Sequence, residues 1–237
     1  MGDFVSVIVT TFNEEGYIEK CLLSLRAQSY RDKEIIVVDS ESTDRTVEIA
    51  KKYADKLIVK KCSIPAGRNI GAKESRGNVL LFVDADVMLN PTWIDTALPY
   101  LEDENVVAVY GELFPVEKSV KDKLIFCIFG FTNFFSRTVA RKTLYAKLGT
   151  AVLIKKWALE KIGYFSEGVC VDDVDCSLRL NRVGRIKFVK QAWGYVSTRR
   201  FRRTGYLKLS LIWLISGNAY FLFKKPFILK KYTKNFP

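Results

Sequence analysis

A chain of 237 residues, 49% apolar and 27% charged, can bury one large core and has the charge content of an ordinary water-soluble domain. It has no histidine, which excludes Ser-His and Cys-His catalysis and most zinc chemistry and leaves carboxylates, Lys, Arg and Tyr to carry any reaction. The net charge of +12 is divided unevenly: residues 1–175 hold 23 Lys+Arg against 26 Asp+Glu, whereas residues 176–237 hold 15 Lys+Arg and no acid.

Phe4–Thr10 opens the chain as a β-rich apolar run, and Ile35–Val38, Val79–Val83 and Val106–Tyr110 repeat the type. Helical patterns lie between them. Tyr17–Ala27 places Ile18, Cys21, Leu22 and Leu25 on one face, Thr43–Tyr53 follows Ser42 as its expected N-cap, and Pro91 opens a helix to about Leu101. Strands alternating with helices every 25–30 residues predict a mostly parallel sheet with right-handed crossovers, and near-continuous apolar strands predict helices on both of its faces. After Gly111 the alternation weakens. Leu124–Phe135 is aromatic-rich, Trp157–Gly163 reads as a short helix, and the loop Glu167–Asp175 precedes a helix carrying Leu178, Leu180 and Val183. The five cysteines, odd in number and without C-x-x-C spacing, suit a reducing compartment. Met1–Thr10 enters its β-type run without a basic start or cleavage site, so a cytoplasmic location is expected.

The polar residues that interrupt these runs share a position. In an open parallel sheet, ligands bind beyond the carboxyl ends of the strands. Thr10, Thr11 and Asn13 end the first strand, Asp39 the second, and Asp84 a later one with Asp86 just past it. Alternation turns Asp84 and Asp86 toward one side, where two carboxylates repel unless a cation lies between them. Oxygen ligands with a diphosphate favour Mg2+ or Mn2+. With thirteen aspartates, about one D-x-D is expected by chance, and Asp173-Val-Asp175 is a second one. Position at the end of an apolar strand, beside Asp39, is what raises Asp84-Ala-Asp86 above coincidence. Gly67 and Gly71 suit tight packing, since no G-x-G-x-x-G or Walker pattern exists.

Five pieces in order then resemble the family-2 inverting glycosyltransferases: S6-V-I-V-T-T-F-N-E14, V37-V-D-S-E-S-T-D44, I64-P-A-G-R-N-I-G71, L80-L-F-V-D-A-D86, and G163-Y-F-S-E-G with D172-D-V-D-C-S-L-R-L180. The resemblance covers about residues 4–200 and implies an α/β nucleotide-sugar-binding sandwich, the GT-A fold, over 1–200. It implies that Thr10 and Phe12 hold the nucleotide's base and ribose, that Asn13 joins them in binding the nucleotide sugar, and that Asp39 accepts from the base's N–H. Arg68 would lie against base or diphosphate, Asp84 would contact ribose or metal, and Asp86 would hold the metal on the phosphates. The family's acidic pair is usually Glu-Asp; here it is Asp172-Asp173, and Asp173 matches the general base. The Q-x-x-R-W signature of processive synthases is missing, so single-sugar transfer is implied rather than polymerisation.

The remaining segment, 201–237, is a basic and apolar extension. Tyr206–Phe223 is nearly all apolar between Arg199–Arg203 and Lys224-Lys225, somewhat short for a spanning helix. A buried helix, an interfacial helix and half of a membrane hairpin all fit it. Basic residues bracketing an apolar stretch suit an anionic membrane surface better than nucleic acid. Arg199, Arg200 and Arg202 are candidates to bind acceptor or phosphate. The expected function is metal-assisted transfer of one sugar from a UDP- or GDP-sugar to a lipid-linked or glycan acceptor at the inner face of the cell membrane. A nucleotidyltransferase on a similar sandwich would need a Gly-rich loop that T10-T-F-N-E-E-G16 does not supply, and intact Asp84, Asp86 and Asp173 argue against a catalytically silent scaffold.

Overall fold

β1 (Val5–Thr11) alternates its side chains between two cores. Val5, Val7 and Val9 enter one apolar cluster while Ile8 enters the other. This double burial explains why the strand is apolar throughout. The computed structural model describes residues 3–117, 119–122, 151–169 and 171–212. Among them eight strands form one sheet: β1, β2 (Lys33–Asp39), β3 (Lys56–Val59), β4 (Val79–Asp84), β5 (Val87–Leu89), β6 (Val106–Pro115), β7 (Ala151–Lys155) and β8 (Arg185–Val196), in the spatial order β3-β2-β1-β4-β7-β6-β8-β5.

The four strands β3-β2-β1-β4 are parallel, as expected of the first half. β7 then joins β4 and β6 antiparallel, while β8 runs parallel to β6 and antiparallel to β5. One face carries α1 (Ile18–Arg26), α2 (Thr46–Tyr53) and α4 (Trp93–Ala97, continued by a 3-10 turn at Leu98–Leu101), whose Leu22, Leu25, Ile49, Trp93 and Ile94 join the first core. The other carries α3 (Ile64–Lys73), α5 (Lys156–Lys161) and α6 (Asp172–Leu180), which bring Ala72, Leu159, Cys176 and Leu180 to the second. The chain ends its described part with α7 (Arg199–Thr204) and a helical turn over 206–212.

Two local expectations are corrected. Ser42 does not cap α2: its hydroxyl donates to Asp39 Oδ2 and accepts from Asn13 N, and Asp44 closes the turn before α2 by accepting from Thr46 N. The loop expected through Asp175 is helical from Asp172, so Asp172, Asp173 and Asp175 stand in the first turn of α6, where a helix dipole favours acids. Leu124–Phe135 and most of Tyr206–Phe223 lie outside the described residues. Among the described residues, no helix is long and apolar enough to cross a membrane.

Candidate active site

Parallel register aligns the strand ends side by side. Thr11 of β1 stands opposite Asp39 of β2, and Thr10 opposite Asp84 of β4. Asp84-Ala85-Asp86 is the turn from β4 into β5, so both carboxylates leave the sheet at its carboxyl edge, as expected. Asp39 is fully buried and accepts from Ser42 N at 2.7 Å and from Ser42 Oγ at 2.5 Å. Asn13, held in the left-handed region at φ 52°, completes the first two loops by accepting from Thr43 N at 2.8 Å. These bonds build a rigid floor from T10-T-F-N and S40-E-S-T. Thr10 and Phe12 stand on it half-buried.

Two glycines let α3 settle against this floor. A Cβ at Gly71 would lie 2.4 Å from Ile8 Cγ2, and one at Gly67 would lie 3.1 Å from Thr10 Cγ2. This is the packing role expected of them. The close approach delivers Arg68, itself 5% exposed, into the site. Its guanidinium donates to Asp84 Oδ1 at 3.1 Å and to Asp172 Oδ2 at 2.5 Å, with the Phe165 ring 5.4 Å away. Arg68 thus bridges the end of β4 to the first turn of α6. Its charged form is favoured because the attraction of Asp172 and Asp84 outweighs the cost of burial. Asp173, the adjacent acid, is partly exposed, and its Oδ1 accepts a hydrogen bond from the neighbouring Val174 N at 2.8 Å.

Asp86 answers to a different arginine. Arg199 Nε lies 3.3 Å from Asp86 Oδ2, its Nη2 pairs with Glu14, and its guanidinium sits 4.3 Å over the Tyr17 ring. The backbone brings α7 here, because β5 and β8 pair and Ser197 N donates to Asp86 O at 3.2 Å. Burial pushes the Asp86 carboxyl up to about 6, the charge of Asp84 adds to this, and Arg200 and Arg199 oppose it. Under the pair, burial and the two aspartate charges also push the Cys21 thiol well above its usual range, which keeps it a neutral core group. Two buried oxygens at this edge, Thr11 Oγ1 and Glu14 Oε2, have no hydrogen-bond partner among the described residues.

Thr10, Asp39, Asp84 and Asp86 therefore gather at one edge of the sheet, with Arg68 tying Asp172 to it and Arg199 reaching Asp86, whereas Arg202 turns outward and pairs with Glu117. Arg68 and Arg199 engage the protein's own acids in this structure, rather than standing open to a phosphate. Sequence reasoning missed Glu14, Tyr17 and Asn69. Asn69 Nδ2 donates to Phe165 O and its Oδ1 accepts from Phe165 N, both at 2.9 Å, which fixes the G163-Y-F-S loop against α3. That residue stood inside a quoted motif, directly after Arg68, and buried amides of this kind give no signal of their own.

The carboxylates present suit a divalent cation of the magnesium type. Among the described residues no three acidic or sulfur side chains converge to cage an ion. Mg2+ and Mn2+ commonly take one or two carboxylates and complete their shell with substrate phosphates and water. Asp84 and Asp86 at the sheet edge are such a partial set.

A model of the family described as glycosyl transferase family 2 matches residues 6–160. Among curated proteins, the chain is 26% identical over 165 residues to the glycosyltransferase GlyA of Streptococcus pneumoniae, covering 67% of this chain and 23% of that protein. It is 35% identical over 109 residues to the poly(ribitol-phosphate) beta-N-acetylglucosaminyltransferase TarS of Staphylococcus aureus, covering 42% of this chain and 19% of TarS. Across such relatives the alignment spans less than half of their length. Among solved structures, the mannosyltransferase PcManGT of Pyrobaculum calidifontis, in complex with GDP-Man and Mn2+, superimposes with a TM-score of 0.68 at 22% identity, covering 94% of this chain and 71% of that one. TarS residues 1–349 with UDP-GlcNAc superimpose at 0.64 and 22% identity, covering 82% and 58%. The α/β sandwich is therefore of the GT-A type, and with the family match spanning well over half its residues, the chain belongs to glycosyl transferase family 2.

Proposed function

We propose that the protein transfers one sugar from a UDP- or GDP-sugar to a hydroxyl of a lipid-linked or glycan acceptor, with inversion and with Mg2+ or Mn2+ held at Asp86 and Asp84. One observation carries this reading. Arg68 pairs with Asp84 at the end of β4 and with Asp172 in the first turn of α6, which supports the next residue, Asp173, as the base for an acceptor bound at that edge. The named relatives support the donor class: PcManGT is seen with GDP-Man and Mn2+, and TarS with UDP-GlcNAc.

In this mechanism the floor around Asp39 receives the nucleoside, with Thr10, Phe12 and Asn13 along its border. The diphosphate lies over Asp84 and Asp86. A bound divalent ion there supplies positive charge to offset the leaving diphosphate. The acceptor oxygen forms its bond to the anomeric carbon from the face opposite the diphosphate, and the old C–O bond breaks with its electron pair leaving on the nucleoside diphosphate. Asp173 takes the acceptor proton late in that displacement, a contribution of about 10²- to 10⁴-fold. Asp172 is locked by Arg68 and serves to position its neighbour. Arg199 can exchange Asp86 for the diphosphate and add a second cation to the departing group.

A panel of nucleotide sugars with Mn2+, read as released nucleoside diphosphate, tests the donor; no sugar-dependent release with any donor would sink the proposal. Asp173→Asn should abolish transfer while the donor still binds, by thermal shift, with near-normal affinity.

A further inference from the structure

The run after β6, described at residues 116–117 and 119–122, folds back onto α7 and the helical turn over 206–212. Tyr206 Oη donates to Asp122 Oδ1 at 2.6 Å, and Ser119 Oγ to Asp122 Oδ2 at 2.5 Å. Glu117 accepts from Thr198 N at 2.8 Å and from Thr198 Oγ1 at 3.0 Å, and pairs with Arg202. Inside the joint, Phe201 and Leu209 bury a small core of their own against Tyr206, with the Phe201 and Tyr206 rings stacked at 5.8 Å.

The outer side of this joint is unusual for a surface in water. Val120 is 81% exposed, Leu207 76% and Leu211 47%. Exposed Lys121, Arg202, Arg203 and Lys208 stand among them, while the joint's own acids, Glu117 and Asp122, are engaged within it. Both strands of chain that form it continue into strongly apolar sequence, Leu124–Phe135 from one and residues 213–223 from the other. Exposed aliphatic side chains mixed with bases and no free acid match an anionic lipid surface, where the bases meet headgroups and the Val and Leu side chains enter the acyl boundary. Nucleic acid would call for stacking aromatics in their place.

We infer that this face, centred on Val120, Leu207, Leu211, Arg203 and Lys208, seats the protein on an anionic bilayer. The same α7 reaches Asp86 through Arg199, so seating it there holds the donor edge beside the headgroups. That geometry selects a lipid-linked acceptor from the two acceptor classes proposed above. The choice of acceptor rests on the proposed function; the docking itself does not.

The test is flotation of the full chain with vesicles of phosphatidylglycerol and phosphatidylcholine, against phosphatidylcholine alone, for the native protein and for Val120→Asp/Leu207→Asp and Arg203→Glu/Lys208→Glu. The native chain should float with anionic vesicles, and each double variant should partition about tenfold less or weaker. Nucleotide-sugar-dependent thermal shift should be unchanged in both variants, which separates lost docking from lost fold or lost donor binding. Equal flotation of native and variant proteins, equal binding to neutral vesicles, or binding to an RNA oligomer without binding to vesicles would overturn the inference.

Discussion

Asp86 and Arg68 show two ways of keeping charge at a buried edge. Arg68 is matched by two acids, so its removal leaves both uncompensated. Arg68→Met should cost about 3–5 kcal/mol of stability, measurable by denaturant unfolding. Arg68→Lys keeps the charge but not the fork that reaches Asp84 and Asp172 together, so it should lose less stability and lower kcat more than it raises KM. Asp86 is the opposite case, since its carboxyl is raised to about 6 by burial and by Asp84. In the unfolded chain the same group titrates near 3.8. Between these values the folded protein binds the extra proton, so this site's contribution falls as pH rises through that window and stays low above it. Asp86→Asn should therefore stabilise the ligand-free protein at pH 7 by on the order of 2–3 kcal/mol, read by thermal or urea unfolding at pH 4 and pH 7. It should also lose Mn2+-dependent nucleotide binding. Destabilisation at neutral pH would contradict the assignment.

The elements show why some of this was legible beforehand and some was not. β1, β2 and β4 announce themselves because both faces are buried, which makes the strand apolar from end to end. Their terminal Thr and Asp residues then read as an edge. β3 is four residues of half-exposed rim, and Lys56-Leu57-Ile58-Val59 offers too short a pattern to distinguish from a loop. β8 alternates well at Arg185–Phe188, but its register against β6 shifts where Gly111 meets Val189 and Glu112 meets Trp193. That irregularity breaks the period. Gly111 permits it, because a Cβ there would lie 1.8 Å from Ala192 O. The DxD edge and the acid pair of α6 were both visible as motifs, yet their link through Arg68 spans 104 residues and no local pattern carries it. Asn69 performs the same service for the loop before α6. Asn69→Leu strands the Phe165 N–H and carbonyl in a buried place, at about 1–3 kcal/mol for each. Equilibrium unfolding should show a loss of at least 2 kcal/mol, and kcat should fall because the loop carries Ser166, the hydrogen-bond partner of Asp175 in α6.

At the scale of the molecule, the candidate site occupies one edge of the sheet and a structural network the other. Asp39, Asp84 and Asp86 lie where β2 and β4 end, and Arg68 ties the first turn of α6, with Asp172 and Asp173, to the same edge. At the opposite edge, where these strands begin, Glu34 of β2 accepts from Ser6 Oγ of β1 at 2.6 Å and from Arg76 N at 2.8 Å, and Ser6 Oγ accepts from Gly77 N at 2.8 Å. Burial works to raise the Glu34 carboxyl, but the Ser6 hydroxyl and the Arg76 amide and guanidinium together hold it below the usual range. The network ties β1, β2 and the approach to β4 before any of them reaches the site. A depressed carboxylate contributes stability that is fully present above its unfolded value of 4.5 and is lost as pH falls through its folded value. Glu34→Gln keeps the shape and gives up the charge-assisted part of these bonds, so it should cost about 1–2 kcal/mol at pH 7. The difference from the native protein should shrink in acid, where native Glu34 protonates as well. Because this edge lies at the far end of the strands from Asp84, kcat/KM measured well below the melting temperature should be unchanged. A variant that lost activity while keeping its stability would contradict the separation of the two edges.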